Sequence, residues 1–131
     1  MIHESISLFR YVFDSSSLIF IERKRLVTRL RRRHGEILLP EKVAEEVRQP
    51  RSPLKTLLDR FPTMIVSFTS AEEQKYLEIR AQAGIDDGEA AAITIALSRS
   101  MPLVIEDKKG RSKAQNHGIH CFGWQEFITG T

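Results

Sequence analysis

Four carboxylates lie far apart in the chain, each where an isolated charge is awkward: Asp14, Glu45, Glu89 and Asp107. Asp14 and Asp107 each close an apolar run that predicts a buried strand, and Glu45 and Glu89 each lie near the start of a predicted helix. Because ligands of open α/β sheets bind beyond the carboxyl ends of the strands, we expect these acids to converge there. Converging carboxylates repel one another unless a hard cation lies among them. The placement therefore predicts a Mg²⁺ or Mn²⁺ site and phosphate chemistry.

Each acid, taken alone, also has an ordinary structural explanation. Asp14 precedes three serines, a sequence typical of a helix N-cap. The pair Glu45 and Glu46 resembles a solvated helix surface, and Asp86 and Glu89 have the spacing of a capping box. The joint placement of the four acids at two strand ends and two helix starts is what favours a site.

Short apolar runs alternate with helical patterns along the whole chain. This alternation predicts a three-layer α/β/α fold with a central parallel sheet of four or five strands. Ser70 and Glu73 have capping-box spacing and predict a helix that continues to about Gly84. The predicted strands are 11–13, 36–39, 64–68, 103–105 and 119–122. The other predicted helical segments are two apolar segments between Asp14 and Gly35, one after Pro40, and 54–60, 88–100, 111–117 and 124–128.

The bulk composition is that of a single globular domain spanning residues 1–131. The chain has 41% hydrophobic and 28% charged residues, with a formal net charge of +3. The lone cysteine, Cys121, excludes an internal disulfide. No apolar run approaches the length of a membrane span, and the N-terminus does not resemble a signal peptide, so we expect a cytoplasmic protein with no membrane partner. Residues 1–10 are expected to form either an N-terminal arm or an extra strand.

Basic residues are concentrated between Arg23 and His34, where seven lysines and arginines occur with no acid among them. Two interpretations stay open for this run, which includes Arg31–Arg33. It is either a solvated helix face or a surface that contacts phosphates.

The motifs around the acids resemble those of the PIN-domain family. Residues 12–19 (VFDSSSLI) are similar to its opening motif, and residues 37–47 (ILLPEKVAEEV) to its second, a strand, a proline and a helix with a glutamate. Residues 85–93 (IDDGEAAAI) and 103–111 (LVIEDKKGR) resemble the third and fourth. The match runs from about Tyr11 to Phe127, and is closest to a prokaryotic branch with Gly-Glu-Ala and Asp-(Arg/Lys)-Lys-Gly-Arg patterns.

The resemblance implies a PIN-like fold and a metal-dependent endoribonuclease that uses Mg²⁺ or Mn²⁺. Such proteins are often VapC-like toxins of type II toxin–antitoxin pairs, so it also implies a small antitoxin protein as partner and a homodimer. Matched position by position, the metal-binding acids are Asp14, Glu89 and Asp107, the acid that completes the catalytic pocket is Glu45, and a small hydroxyl beside the first acid is Ser15 or Ser16.

Two positions depart from the family pattern. In the third motif three acids compete, and the apolar residues that follow favour Glu89 as the ligand and Asp87 as an auxiliary acid. In the fourth motif Glu106, the second auxiliary acid, stands where this branch commonly has the first of two aspartates. Alternation along a strand places Glu106 on the opposite side from Asp107, so Asp107 is expected to remain the ligand.

A polyanionic substrate would also need cations that hold its backbone without reading its sequence. The candidates for RNA binding are Arg23, Lys24, Arg25, Lys108, Lys109 and Arg111. For Arg111 the alternative is an ion pair that fixes one of the acids. The rival interpretation for the whole chain, motivated by Glu106, is a non-catalytic PIN-like module that binds RNA or a protein partner.

Overall fold

The computed structural model describes residues 9–129. The strands are β1 (Tyr11–Phe13), β2 (Ile37–Pro40), β3 (Ile65–Val66), β4 (Leu103–Val104) and β5 (Cys121–Phe122). The helices are α1 (Ser15–Arg23), α2 (Val27–Arg32), α3 (Glu41–Val47), α4 (Pro53–Arg60), α5 (Ser70–Arg80), α6 (Asp87–Ser98), α7 (Lys108–Asn116) and α8 (Trp124–Thr129), with 3₁₀ turns at His34–Glu36 and Pro62–Met64. The expected N-terminal arm or strand lies outside the described residues, apart from Phe9 and Arg10.

All five strands are parallel and follow the order β3-β2-β1-β4-β5. Val12 pairs with Leu38 of β2 on one side and with Leu103 of β4 on the other, so β1 is the central strand. The chain fills one half of the sheet with β1 to β3 and the other half with β4 and β5. The strand order therefore reverses between β1 and β4, which is where open α/β sheets form their ligand crevice. The predicted three-layer fold with a parallel sheet is confirmed.

Helix α6 packs at the centre of the molecule and carries one of the predicted acids. Every residue from Gly88 to Ala96 is buried. A helix that is apolar on all sides belongs in a core, and the small side chains Ala90–Ala92 let α6 approach the sheet and its neighbouring helices closely. Glu89 stands at the start of this buried helix, so its carboxylate is held at the edge of the core.

Most helices begin close to the residues that the sequence predicted, but the starts of α5 and α7 differ. The capping box of α5 uses Thr69 rather than Ser70: the Glu72 backbone N–H donates to Thr69 Oγ1 at 3.2 Å, and the Thr69 N–H donates to Glu72 Oε1 at 2.9 Å. Helix α5 ends at Arg80, earlier than predicted. Helix α7 begins at Lys108 instead of Arg111, because the carboxylate of Asp107 caps it. None of the helices within residues 9–129 is long and apolar enough to cross a membrane.

Candidate active site

Asp14 follows β1 directly and caps the N-terminus of α1. Its backbone N–H donates to the carbonyl of Val104 at 3.0 Å, so it lies at the reversal point between β1 and β4. The residue is only 2% exposed. Asp14 Oδ2 accepts hydrogen bonds from the Ser16 backbone N–H at 3.2 Å and the Ser16 hydroxyl at 2.7 Å. Asp14 Oδ1 is buried and has no hydrogen-bond partner among residues 9–129. Burial raises the pKa of Asp14, which the bonds from Ser16 partly offset.

A buried carboxylate oxygen without a partner is costly, and a cation is one of the few groups that would satisfy it. Asp14 Oδ1 therefore lies where a bound cation would satisfy it.

The Ser16 hydroxyl joins two distant parts of the chain at this point. It donates to Asp14 Oδ2 and accepts from the backbone N–H of Glu106 at 3.1 Å, with a longer contact from the N–H of Asp107 at 3.4 Å. One hydroxyl supplies a single donor and two acceptor lone pairs, so these bonds use its full capacity. Ser16 therefore holds the first acid and the segment that carries the last acid in fixed relation.

Asp107 and Glu89 approach each other across the start of α7. Asp107 Oδ2 accepts from the Gly110 N–H at 2.7 Å, which closes the first turn of α7. A Cβ atom added at Gly110 would lie 2.9 Å from Glu89 Oε2 and 2.8 Å from Ile105 Cδ1. Only glycine therefore lets α7 pack this closely against the Glu89 carboxylate.

Glu89 has a strongly perturbed environment. It is 8% exposed, and it forms the expected capping box with Asp86: the Glu89 N–H donates to Asp86 Oδ1 at 2.8 Å, with a return bond of 3.4 Å. Burial, a hydrogen bond to Asp107, and the charges of Asp86, Asp107 and Asp14 raise the pKa of Glu89 to about 8. Burial is the largest cause of this rise, and the three neighbouring acids add to it although Asp14 and Asp107 are 93 positions apart in sequence.

The structure brings Glu46, not Glu45, to this cluster. A side chain added at Gly88 would collide with the Glu46 carboxylate. The pKa of Glu46 is raised by burial and by the charges of Asp86, Asp14 and Asp87, and lowered by a hydrogen bond from Ser15.

Glu45 is exposed and lines a separate hollow of about 120 Å³, with Glu41, Lys42 and Glu73 among its other walls. The physical reason is the helix period. At about 3.6 residues per turn, Glu45 lies nearly opposite the buried face formed by Val43 and Val47, while Glu46 flanks that face. A helical wheel of α3, drawn from the sequence, already places Glu45 away from the core, whereas the docking of α3 decides that its Glu46 side faces the other acids.

The two auxiliary acids have other partners. Asp87 forms an ion pair with Arg80 and accepts a 3.4 Å bond from the Tyr76 hydroxyl, and the Arg80 bond lowers its pKa. Glu106 accepts from the Trp124 backbone N–H at 3.3 Å, so its carboxylate is directed to the start of α8. Asp87 faces α5 from the rim of the cluster, and Glu106 supports the sheet from outside it.

The candidate cations fall into three groups. Lys108 and Lys109 are exposed beside Asp107 in the first turn of α7. Arg23, Lys24 and Arg25 are exposed at the far end of α1, about 13 Å from Asp14 along a nine-residue helix.

Arg111 and Arg33 instead hold the fold together. Arg111 donates to the carbonyl of Ile105 at 2.8 Å, which ties α7 to the end of β4. Arg33 pairs with Glu36 at 2.8 Å, and its guanidinium lies 3.7 Å from the centre of the Phe127 ring. Neither side chain is free to meet a substrate in the way that Lys108 and Lys109 are.

The donor set suits a hard divalent cation, since Mg²⁺ and Mn²⁺ prefer carboxylate oxygens. The unpartnered Asp14 Oδ1 and the pKa of Glu89, raised by burial and by nearby acids, both fit residues that would hold such a cation. Within residues 9–129, no three acidic, histidine or cysteine side chains are already gathered tightly enough to hold one ion.

The fold and the site together define an α/β protein with an acidic crevice at the reversal point of a parallel sheet. The PIN-domain family model DUF3368 matches residues 10–125, and the chain belongs to the PIN-domain family, which has a nuclease-type fold. The solved structure of PAE2754 from Pyrobaculum aerophilum is similar in fold, with a TM-score of 0.62 at 13% identity over 92% of this chain and 95% of that chain. No curated protein matches the chain.

Proposed function

We propose that this PIN domain hydrolyses RNA phosphodiester bonds with the help of Mg²⁺ or Mn²⁺. The observation that carries the proposal is the buried, unpartnered Asp14 Oδ1 at the strand reversal, within a cluster of repelling carboxylates. Asp14, Glu89 and Asp107 would hold the cation, and Glu46 would complete the set in place of the predicted Glu45. A divalent cation held there would neutralise phosphate charge and lower the pKa of a bound water.

The chain's own residues have distinct roles around that chemistry. Ser16 holds Asp14 against the segment that leads into α7, and the Ser15 side chain favours the charged form of Glu46 by lowering its pKa. Lys108 and Lys109 attract the RNA backbone to the edge of the acidic crevice. Because these contacts are made to phosphates, they position the strand without selecting its sequence.

The biological setting follows from the same resemblance. We propose a cytoplasmic toxin of a type II toxin–antitoxin pair, restrained by a small antitoxin protein and assembled as a homodimer. Support comes from the PIN-domain family and the closeness of the motifs to a prokaryotic branch of it.

The test is cleavage of a mixed panel of RNAs with Mg²⁺ or Mn²⁺, compared with EDTA. Asp14→Asn and Asp107→Asn should abolish cleavage and leave the fold intact, because each removes one charge from a repelling cluster. If either variant cut RNA as well as the wild type, the site assignment would be wrong. If folded wild-type protein with metal cut no RNA at all, the rival interpretation of a non-catalytic binding module would replace this one.

Helix α3 offers a matched pair of variants for the same assay. Glu46→Gln should lower cleavage by roughly 10- to 100-fold, as loss of a group that supports metal ligation does. Glu45→Gln changes the same charge one residue away on the exposed face and should leave cleavage unchanged. The reverse result would restore Glu45 to the site.

A further inference from the structure

A cleft of about 670 Å³ adjoins the acidic cluster on one side. Its walls are the loop between α5 and α6, residues 81–86, together with Glu89, Asp107 and Lys109. The volume is in the range of sites that hold a small organic ligand. Because Asp86, Glu89 and Asp107 belong to both the cleft and the acidic cluster, a molecule in the cleft would touch the chemistry directly.

Two lysines that have no partner among the described residues border this cleft. Lys109 and Lys113 are four residues apart on α7 and so share one face of that helix. Lys113 crosses the loop at Gly84: a Cβ built there would lie 3.7 Å from its Cε and 4.0 Å from its Nζ. Across residues 9–129, neither ammonium group makes an ion pair or hydrogen bond.

The other cation in the cleft wall is already engaged. Arg80 pairs with Asp87 and donates to the carbonyl of Ile85 at 3.2 Å, so it braces the loop. Lys109 and Lys113 are thus the cations of the cleft that can bind an anion. They lie beside the acidic cluster, which would bind the scissile phosphate through a divalent cation.

We propose that this cleft is a subsite for single-stranded RNA. It holds the nucleotide that adjoins the scissile bond on one side of that bond. The base and sugar lie along the loop 81–85, and Lys109 and Lys113 together hold one flanking phosphate. The inference rests on the proposed function for the position of the scissile bond, and it adds a binding element on α7 and the side of the acidic cluster along which the strand continues.

The charge of the subsite is tested by binding. In an Asp14→Asn background, which stops turnover, the affinity for a labelled unstructured RNA is measured by fluorescence anisotropy over a range of NaCl concentrations. Loss of one phosphate contact should reduce the slope of log affinity against log salt by about 0.7 in the Lys109→Gln/Lys113→Gln variant. Lys55→Gln, which removes one exposed charge that is paired with Asp59 on α4, is the control for a general loss of positive charge and should change the slope far less.

The space of the subsite is tested without any change in charge. Ala83 is exposed and lines the cleft, so Ala83→Trp should fill it and weaken RNA binding while leaving the melting temperature unchanged. The double lysine variant should slow cleavage of a longer RNA by a larger factor than cleavage of a dinucleoside monophosphate, which has no flanking phosphate, and equal factors for the two substrates would overturn the flanking-phosphate contact.

The outcomes separate the two proposals. The subsite alone would be overturned if the wild-type protein cleaved RNA, the double lysine variant had the same salt slope as Lys55→Gln, and Ala83→Trp bound RNA with full affinity. Absence of cleavage, with the slope still reduced, would overturn the nuclease assignment and retain the cleft as an RNA site. No RNA binding in any form of the protein would overturn both.

Discussion

Replacing Glu89 by glutamine should stabilise the protein in the absence of metal. The Glu89 carboxyl has its pKa raised from 4.5 to about 8 by burial, by the bond to Asp107 and by neighbouring charges. A carboxyl with a raised pKa binds its proton more tightly in the folded state than in the unfolded state. The contribution of Glu89 to stability is therefore fully present below pH 4.5 and is lost as the pH rises from 4.5 through 8.

The size of the effect follows from that shift. Each pKa unit corresponds to about 1.4 kcal/mol, so titration of Glu89 removes on the order of 3 kcal/mol of stability between pH 4.5 and pH 7. Glutamine resembles the protonated acid. Its oxygen can still accept from the Asp86 N–H in the capping box, and its amide can donate to Asp107. We expect Glu89→Gln to exceed the wild type by about 2 to 3 kcal/mol at pH 7 and to match it at pH 4.5.

The assay is urea unfolding in EDTA at a series of pH values between 4.5 and 8. The difference between variant and wild type isolates Glu89 from other titrating groups. Glu45→Gln is the control, because its carboxylate is exposed outside the cluster and its loss should give no gain. A Glu89→Gln protein that is no more stable than the wild type at pH 7 and 8 would refute the repelling cluster.

Bound metal should reverse the order of stability of the wild type and Glu89→Gln. Mn²⁺ binds only the folded site, so it should raise the unfolding midpoint of the wild type more than that of Glu89→Gln. Binding to the wild type near pH 7 should also release a proton, since the Glu89 ligand must lose its own. Calorimetry in buffers of different ionisation enthalpy measures that release, and equal proton counts for both proteins would remove Glu89 from the ligand set.

Three further predictions concern the support of the fold and the site. Ser16→Ala should cost about 1 to 2 kcal/mol in urea unfolding and lower cleavage, because Asp14 loses the 2.7 Å bond, whereas Ser16→Thr should restore both. Glu72 is 3% exposed, and Arg99 lowers its pKa to about 2. The stabilisation by the Glu72 carboxylate is therefore complete above pH 4.5 and is lost as the pH falls towards 2. Glu72→Gln should cost up to about 3 kcal/mol at pH 7, and an unchanged acid-unfolding curve would contradict this. Arg33→Ala should lower the melting temperature without altering the salt dependence of RNA binding, and a changed salt slope would return Arg33 to the RNA surface.

Much of the site was predictable because its signals are local. Asp14 and Asp107 each follow an apolar strand and cap the next helix, and both roles can be recognised within a few residues of sequence. Asp86 and Glu89 have capping-box spacing, and the structure contains that box. Alternation of strands and helices likewise predicted a parallel sheet, whose carboxyl ends bring these acids to one edge.

Side-chain partners were less predictable because they depend on packing. Glu45 and Glu46 differ by one position in α3, and the direction in which α3 docks decides which of them faces Asp14. The bond of Ser16 to the N–H of Glu106 spans 90 residues, and the ring under Arg33 comes from α8 at the other end of the chain. Neither partner can be named before the layers are assembled.

The sequence by itself determined the class of fold, the strand-end acids and the family, because each rests on short-range pattern and hydrogen-bonding chemistry. Only the tertiary structure decided that Glu46 joins the cluster, that Arg111 and Arg33 brace the fold, and that Lys109 and Lys113 border a cleft beside the acids. These are matters of direction in space, set by how helices pack on the sheet rather than by the residues next to them in the chain.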